Sequence, residues 1–171
     1  MQYKNVRYEI KQFIYIRKNR RSEIYKLLHH NFKNDLSFKL FNPLLPYTYV
    51  IQLLYNNKLI GISCVIPINT LIEKFALVYP NTSYPLPIIT LNGVYMNNLC
   101  IDIPYRKLGL SKYLVKLTVN FTKNNDLDHI LCQVDINNIR AIRLYNNFKF
   151  RIHSSGISNG RKCNIMYYVI S

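Results

Sequence analysis

Polar and apolar positions alternate from Arg7 to Ile16, where aromatic and β-branched residues interleave with polar ones, which predicts a first strand. Ser22 is placed to cap a helix running to about Asn31. FNPLLPY, residues 41–47, holds two prolines and reads as a loop. Tyr49–Leu54 and Leu59–Ile66 then form a hairpin across the turn-rich YNNK. Leu71–Val78 fits a short helix or a strand, and NTSYPLP, residues 81–87, is a loop with two further prolines. The whole stretch 69–92 is expected to be an insertion, mobile or facing a substrate.

The second half is more regular. Val94–Ile103 reads as a strand, entered through the turn NGV. Leu110, Leu114, Leu117 and Phe121 repeat at helical spacing within Leu108–Lys123. DHILCQVDI, residues 128–136, is almost continuously apolar, as a strand covered on both faces should be. Asn138–Asn147 is a short helix carrying Ile142 and Tyr145, and Phe148–Ser154 and Cys163–Ile170 are strands around an SNGRK turn. Strand, helix, strand, helix, strand, strand indicates a mixed α/β sheet. With no internal repeat and no low-complexity linker, residues 1–171 are expected to form one domain.

Composition narrows the function classes. The chain carries 23 Lys and Arg against 8 Asp and Glu, a net charge of +15, which favours an anionic partner and disfavours a polycationic one. The densest basic run, RKNRR at 17–21, reads as a solvated face, and the tyrosines are scattered through strands rather than interleaved with basic residues, so nucleic acid is not the expected ligand. No apolar run approaches the ~18 residues of a membrane span, and the N-terminus lacks the apolar middle of a signal peptide, so a cytoplasmic protein is expected. Cys64, Cys100, Cys132 and Cys163 lack metal-ligand spacing and fall in predicted strands, as reduced core cysteines would.

One stretch points to chemistry. In LCIDIPYRKLGLS an apolar strand gives way to a helix through Gly109, one of only five glycines. The first turn of a helix presents unpaired N–H groups and the positive end of its dipole. A phosphate can dock on the amides of Arg106, Lys107, Leu108, Gly109, Leu110 and Ser111, where Gly109 lets the backbone approach closely and Arg106 and Lys107 add charge. By itself the glycine fits a tight strand-to-helix turn equally well.

At these residues the sequence resembles the GNAT N-acetyltransferases. Their signature is Arg or Gln, two residues, Gly, one residue, then Gly or Ala, after an apolar strand; Arg106, Gly109 and Ser111 occupy those places, Ser111 standing for the last small residue. A second family pattern follows in VDINNIRAIRLYNNFKF, where Val134, Asn138, Ala141, Leu144, Tyr145 and Phe150 match and Lys149 replaces the usual glycine. The resemblance spans residues 6–170. It implies the acyl-CoA N-acyltransferase fold, an α/β architecture with a mixed sheet of about seven strands, splayed central parallel strands and flanking helices.

It also implies an acetyl-CoA cosubstrate lying between the strands Val94–Ile103 and Ile130–Ile136, its pantetheine arm paired with Leu99 and Ile101 and its pyrophosphate on residues 106–111. A primary amine would attack the thioester directly. The Leu99 N–H would hold the oxyanion and Tyr145 would protonate the departing thiolate, with Asn138 beside the cofactor. The strand VYMNNLCI lacks the carboxylate that many members use as base. Tyr95 matches a tyrosine of the N-terminal protein acetyltransferases, but Gln133 stands where their histidine would be. Asp102 reads as structural, and Asp135 is a weaker candidate base. The acceptor is expected to be a protein or peptide N-terminus, with FNPLLPY walling a pocket, or an anionic small molecule such as an amino-sugar phosphate. A catalytically weak acyl-CoA-binding module is the third reading. The protein is expected to act as a monomer or homodimer.

Overall fold

A computed structural model describes residues 5–32, 42–78, 92–158 and 160–170. Seven strands form one mixed sheet: β1 (Val6–Gln12), β2 (Tyr49–Tyr55), β3 (Lys58–Pro67), β4 (Gly93–Ile101), β5 (His129–Asp135), β6 (Arg151–Ser158) and β7 (Arg161–Val169). Their order is β1-β2-β3-β4-β5-β7-β6. Only β4 and β5 run parallel; every other neighbouring pair is antiparallel. Among the described residues four helices accompany it: α1 (Lys18–Phe32), α2 (Ile68–Val78), α3 (Leu110–Asn124) and α4 (Ile139–Asn147).

Two cores form because the strands alternate their side chains between faces. One gathers Leu27 and Leu28 of α1 and Leu71 of α2 against Ile62, Cys64, Tyr95 and Leu131. The other gathers Leu110, Leu114, Leu117 and Phe121 of α3 and Tyr145 of α4 against Val94, Met96, Ile130, Cys132 and Val134. The period seen in residues 110–121 is thus the buried stripe of α3. Ser63 and Thr118 place facing hydroxyls inside this layer, 3.3 Å apart, and Thr118 also donates to the Leu114 carbonyl at 3.0 Å, so neither buried hydroxyl is left unpaired.

Several boundaries differ from the sequence expectation. β1 ends at Gln12, because Phe13 donates to the Thr48 carbonyl and turns inward to the core. α1 starts at Lys18, so the RKNRR run opens the helix; Ser22 lies inside it and donates back to the Lys18 carbonyl instead of capping. Residues 68–78 are helical, which decides between the two readings of that segment; residues 79–91, with the NTSYPLP loop, lie outside the described residues. β4 stops at Ile101, where Asp102 caps a short 3-10 turn (Ile103–Tyr105) by accepting from the Ile103 N–H. Asp102 also pairs with Lys58 at 3.9 Å, the structural role expected of it. β6 begins at Arg151, after Lys149 closes the end of α4 with φ +64°.

Candidate active site

The parallel pairing of β4 and β5 is short. It joins Gly93 to His129, Val94 to Ile130 and Tyr95 to Leu131, and there it ends. Beyond that rung the strands part. The cause lies in β4, where Asn98 and Leu99 together face the single residue Ser63 of β3, a β-bulge that bends the strand. Asn98 takes φ +50°, a conformation asparagine tolerates better than most residues. The extra residue shifts the alternation: Val94 and Met96 belong to the α3-side core, and after the bulge Leu99 and Ile101 do. The Asn-Asn pair in VYMNNLCI is the sequence signal for this break, and the strand pattern alone missed it.

A cleft of about 690 Å³ opens where the strands diverge. Its head is the turn from β4 into α3. Gly109 caps that helix with φ +79° and ψ 1°, and Lys107 is also left-handed at φ +64°. The backbone therefore favours glycine here, since a Cβ disfavours this region by ~1–2 kcal/mol. The Gly109 carbonyl accepts from Lys112 at 3.0 Å and Tyr113 at 3.3 Å, which leaves the Leu110 and Ser111 N–H groups without helical acceptors. Two left-handed residues beside a helix N-terminus can take an anion on bare amides.

The structure brings most of the expected residues together. Leu99, Ile101, Arg106, Lys107, Gly109, Leu110, Ser111, Asn138 and Tyr145 all border the cleft. Leu108 does not; its side chain is 39% exposed. Tyr95 does not border it either; it is buried in the α1-side core at the last parallel rung. Arg106 has a use the sequence did not indicate. Its Nε donates to the Ile101 carbonyl at 3.1 Å and its guanidinium reaches Asn31 Oδ1, tying the end of β4 to the end of α1. Asn138 caps α4 by accepting from the Ala141 N–H at 3.2 Å. Asn31, Asn97, Asn98, Lys112 and Arg140 border the cleft as well and were not singled out in the sequence.

The two walls differ chemically. On β5, Ile130, Cys132 and Val134 face α3, so Gln133 and Asp135 face α1. The α1 side therefore presents amides and one carboxylate. The α3 side presents Met96, Leu99, Leu144 and Tyr145. Tyr145 packs against Phe150 with ring centroids 5.3 Å apart. Burial, helped by the neighbouring Cys132, holds its phenol well above its ordinary pKa, so it stays protonated and can donate. The Asn98 Nδ2 is buried and has no hydrogen-bond partner among the described residues. All four cysteines are free and buried; burial pushes the Cys64 thiol to about 12 and raises Cys100 and Cys132 as well. Thiols held protonated by burial are poor nucleophiles at neutral pH.

The model of the acetyltransferase (GNAT) family matches residues 18–150, from the start of α1 to the end of the second motif. The chain belongs to the GNAT acetyltransferase family. No curated protein sequence matches this GNAT chain. Its fold is shared by solved structures at low identity. A GNAT family acetyltransferase from Elizabethkingia anophelis with acetyl-CoA bound has a TM-score of 0.66 at 15% identity, over 96% of this chain and 98% of that one. An acetyltransferase from Bacillus subtilis in complex with CoA gives 0.68 at 18%, over 97% and 99%. The ribosomal-protein-S18-alanine N-acetyltransferase from Escherichia coli gives 0.65 at 15%, over 96% and 95%. The seven-stranded sheet with its central parallel pair is the architecture that the two sequence motifs implied.

Proposed function

We propose that this GNAT enzyme transfers an acetyl group from acetyl-CoA to the terminal amine of a protein or peptide. The observation that carries the reading is the split between β4 and β5, closed at one end by the amides of residues 109–111 and lined by Tyr145 and by amide side chains. Acetyl-CoA fits that shape. Its diphosphate would sit on the glycine turn, within reach of Lys107 and Lys112. Its pantetheine arm would run beside Leu99 and Ile101, filling the gap that β5 leaves next to β4. Cosubstrate-bound members of the family with this fold support the choice.

The chemistry then needs no protein nucleophile. Holding amine and thioester in contact supplies a large part of the rate. The Leu99 N–H, in the bulge, donates to the oxyanion as the tetrahedral intermediate forms. Tyr145 gives its proton to the departing sulfur.

The α1-side wall favours a peptide acceptor. Asn97, Asn98 and Gln133 offer both donors and acceptors, as the backbone of an extended peptide does. The fold shared with the S18-alanine N-acetyltransferase agrees with that class. The test is a thiol-release screen with acetyl-CoA against peptide, amino-sugar phosphate and polyamine panels. Turnover on peptides that varies with the first residue is expected. Turnover confined to phosphorylated amino sugars would replace the acceptor, and binding of acetyl-CoA without release of CoA by any amine would end the enzymatic reading.

A further inference from the structure

The reaction proposed above needs a group to take a proton from the attacking amine, and the expected candidate, Tyr95, lies outside the cleft. The groups around the cleft can be sorted by what they can accept. Cys100 is buried and its thiol strongly raised by that burial. Tyr145 is held protonated and is committed to the sulfur. Tyr105 is packed at the rim, 6.1 Å from the Tyr55 ring and with Lys58 Nζ 5.6 Å from its own. The remaining charged groups are cations, apart from one carboxylate, Asp135.

Asp135 is well placed. It is the last residue of β5, and the alternation of that strand puts it on the α1 side with Gln133. The parallel register ends at Tyr95 and Leu131, and Asp135 borders the cleft farther along β5, across the split from the bulged end of β4. Its Oδ1 accepts from the Asn137 N–H at 2.8 Å, which fixes the carboxylate and leaves Oδ2 available. Among the described residues no lysine or arginine forms an ion pair with it. Cys163 lies across from it on β7, and Asn31, Phe32, Asn97 and Arg140 border the same cleft.

We propose that Asp135 is the general base of this enzyme. This rests on the acyl-transfer reading above. The amine nitrogen forms a bond to the thioester carbon, and its surplus proton passes to the Asp135 carboxylate. The C–S bond breaks with its electron pair on sulfur, which takes the Tyr145 proton. Solvent then carries the proton from Asp135 back to Tyr145, so the products are the N-acetylated amine and free CoA. The base stands on β5, across the split from the strand that carries the oxyanion donor. That explains how a β4 with no carboxylate can serve.

Asp135→Asn isolates the point, because asparagine keeps the oxygen that accepts from Asn137 and loses only the basicity. On a peptide acceptor the variant should lose ~10²-fold or more in kcat. Its affinity for acetyl-CoA and its thermal midpoint should stay at the wild-type values. A wild-type kcat in the variant, or a loss confined to acetyl-CoA affinity, would overturn the assignment and leave acyl transfer standing. A wild-type protein that releases no CoA with any amine would overturn acyl transfer, and this inference with it.

Discussion

Asn98 carries two costs at one position. Its φ of +50° and its buried Nδ2, unpartnered among the described residues, are both unfavourable, and both follow from the bulge that opens the cleft. Glycine removes the backbone cost and alanine does not. Asn98→Gly should therefore be the more stable of the two variants by ~1–2 kcal/mol, read from chemical denaturation. Equal stabilities would mean that the bulge relaxes away when the side chain is shortened. Tyr145 carries a different risk, since a packed aromatic and a proton donor look alike in a sequence. Tyr145→Phe keeps the packing against Phe150 and removes the hydroxyl. A fall of ~10²-fold in kcat with acetyl-CoA affinity intact is expected from steady-state kinetics and equilibrium binding. At this scale the sequence was informative wherever a motif fixed a spacing, as at Gly109, Asn138 and Tyr145. It was uninformative about Asn98, because an asparagine pair in a strand does not say which residue takes the left-handed conformation. Tyr95 matched a family tyrosine by its distance along the chain, and it is buried in the α1-side core.

Elements come together at the cleft through Arg106. One guanidinium joins the final carbonyl of β4 to the end of α1, so the strand end beside the glycine turn is held by that side chain. Arg106→Ala should weaken acetyl-CoA binding by ~10-fold, the effect of losing ~1.4 kcal/mol of preorganisation. Arg106→Lys should not restore it, because an ammonium cannot bridge two acceptors in the fixed fork of a guanidinium. Titration calorimetry on both variants decides the matter; full recovery in the lysine variant would reduce Arg106 to a local charge. The sheet and helices were legible from periodicity, since each buried stripe is a run of like positions. Element ends were not, because they depend on contacts distant in sequence. β1 stops where Phe13 meets Thr48, and Ser22 lies inside α1 with its hydroxyl bonded back to Lys18.

For the whole molecule, the charge of +15 and the cleft form one electrostatic design. Lys107, Lys112 and Arg140 border the same opening, so the field there favours an anion. KM for acetyl-CoA should rise with ionic strength as this field is screened, while kcat stays flat. A flat KM would remove charge from the account of binding. No helix among the described residues is long and apolar enough to cross a membrane. The central claim is that the diphosphate of acetyl-CoA rests on the peptide nitrogens of residues 109–111, with the thioester in the gap between β4 and β5. A crystal structure with acetyl-CoA at saturation tests it most directly. Phosphate oxygens ~3 Å from those nitrogens, and the acetyl carbonyl beside the Leu99 N–H, are the predicted result. A cosubstrate bound elsewhere, with the turn at Gly109 filled by protein side chains, would contradict it.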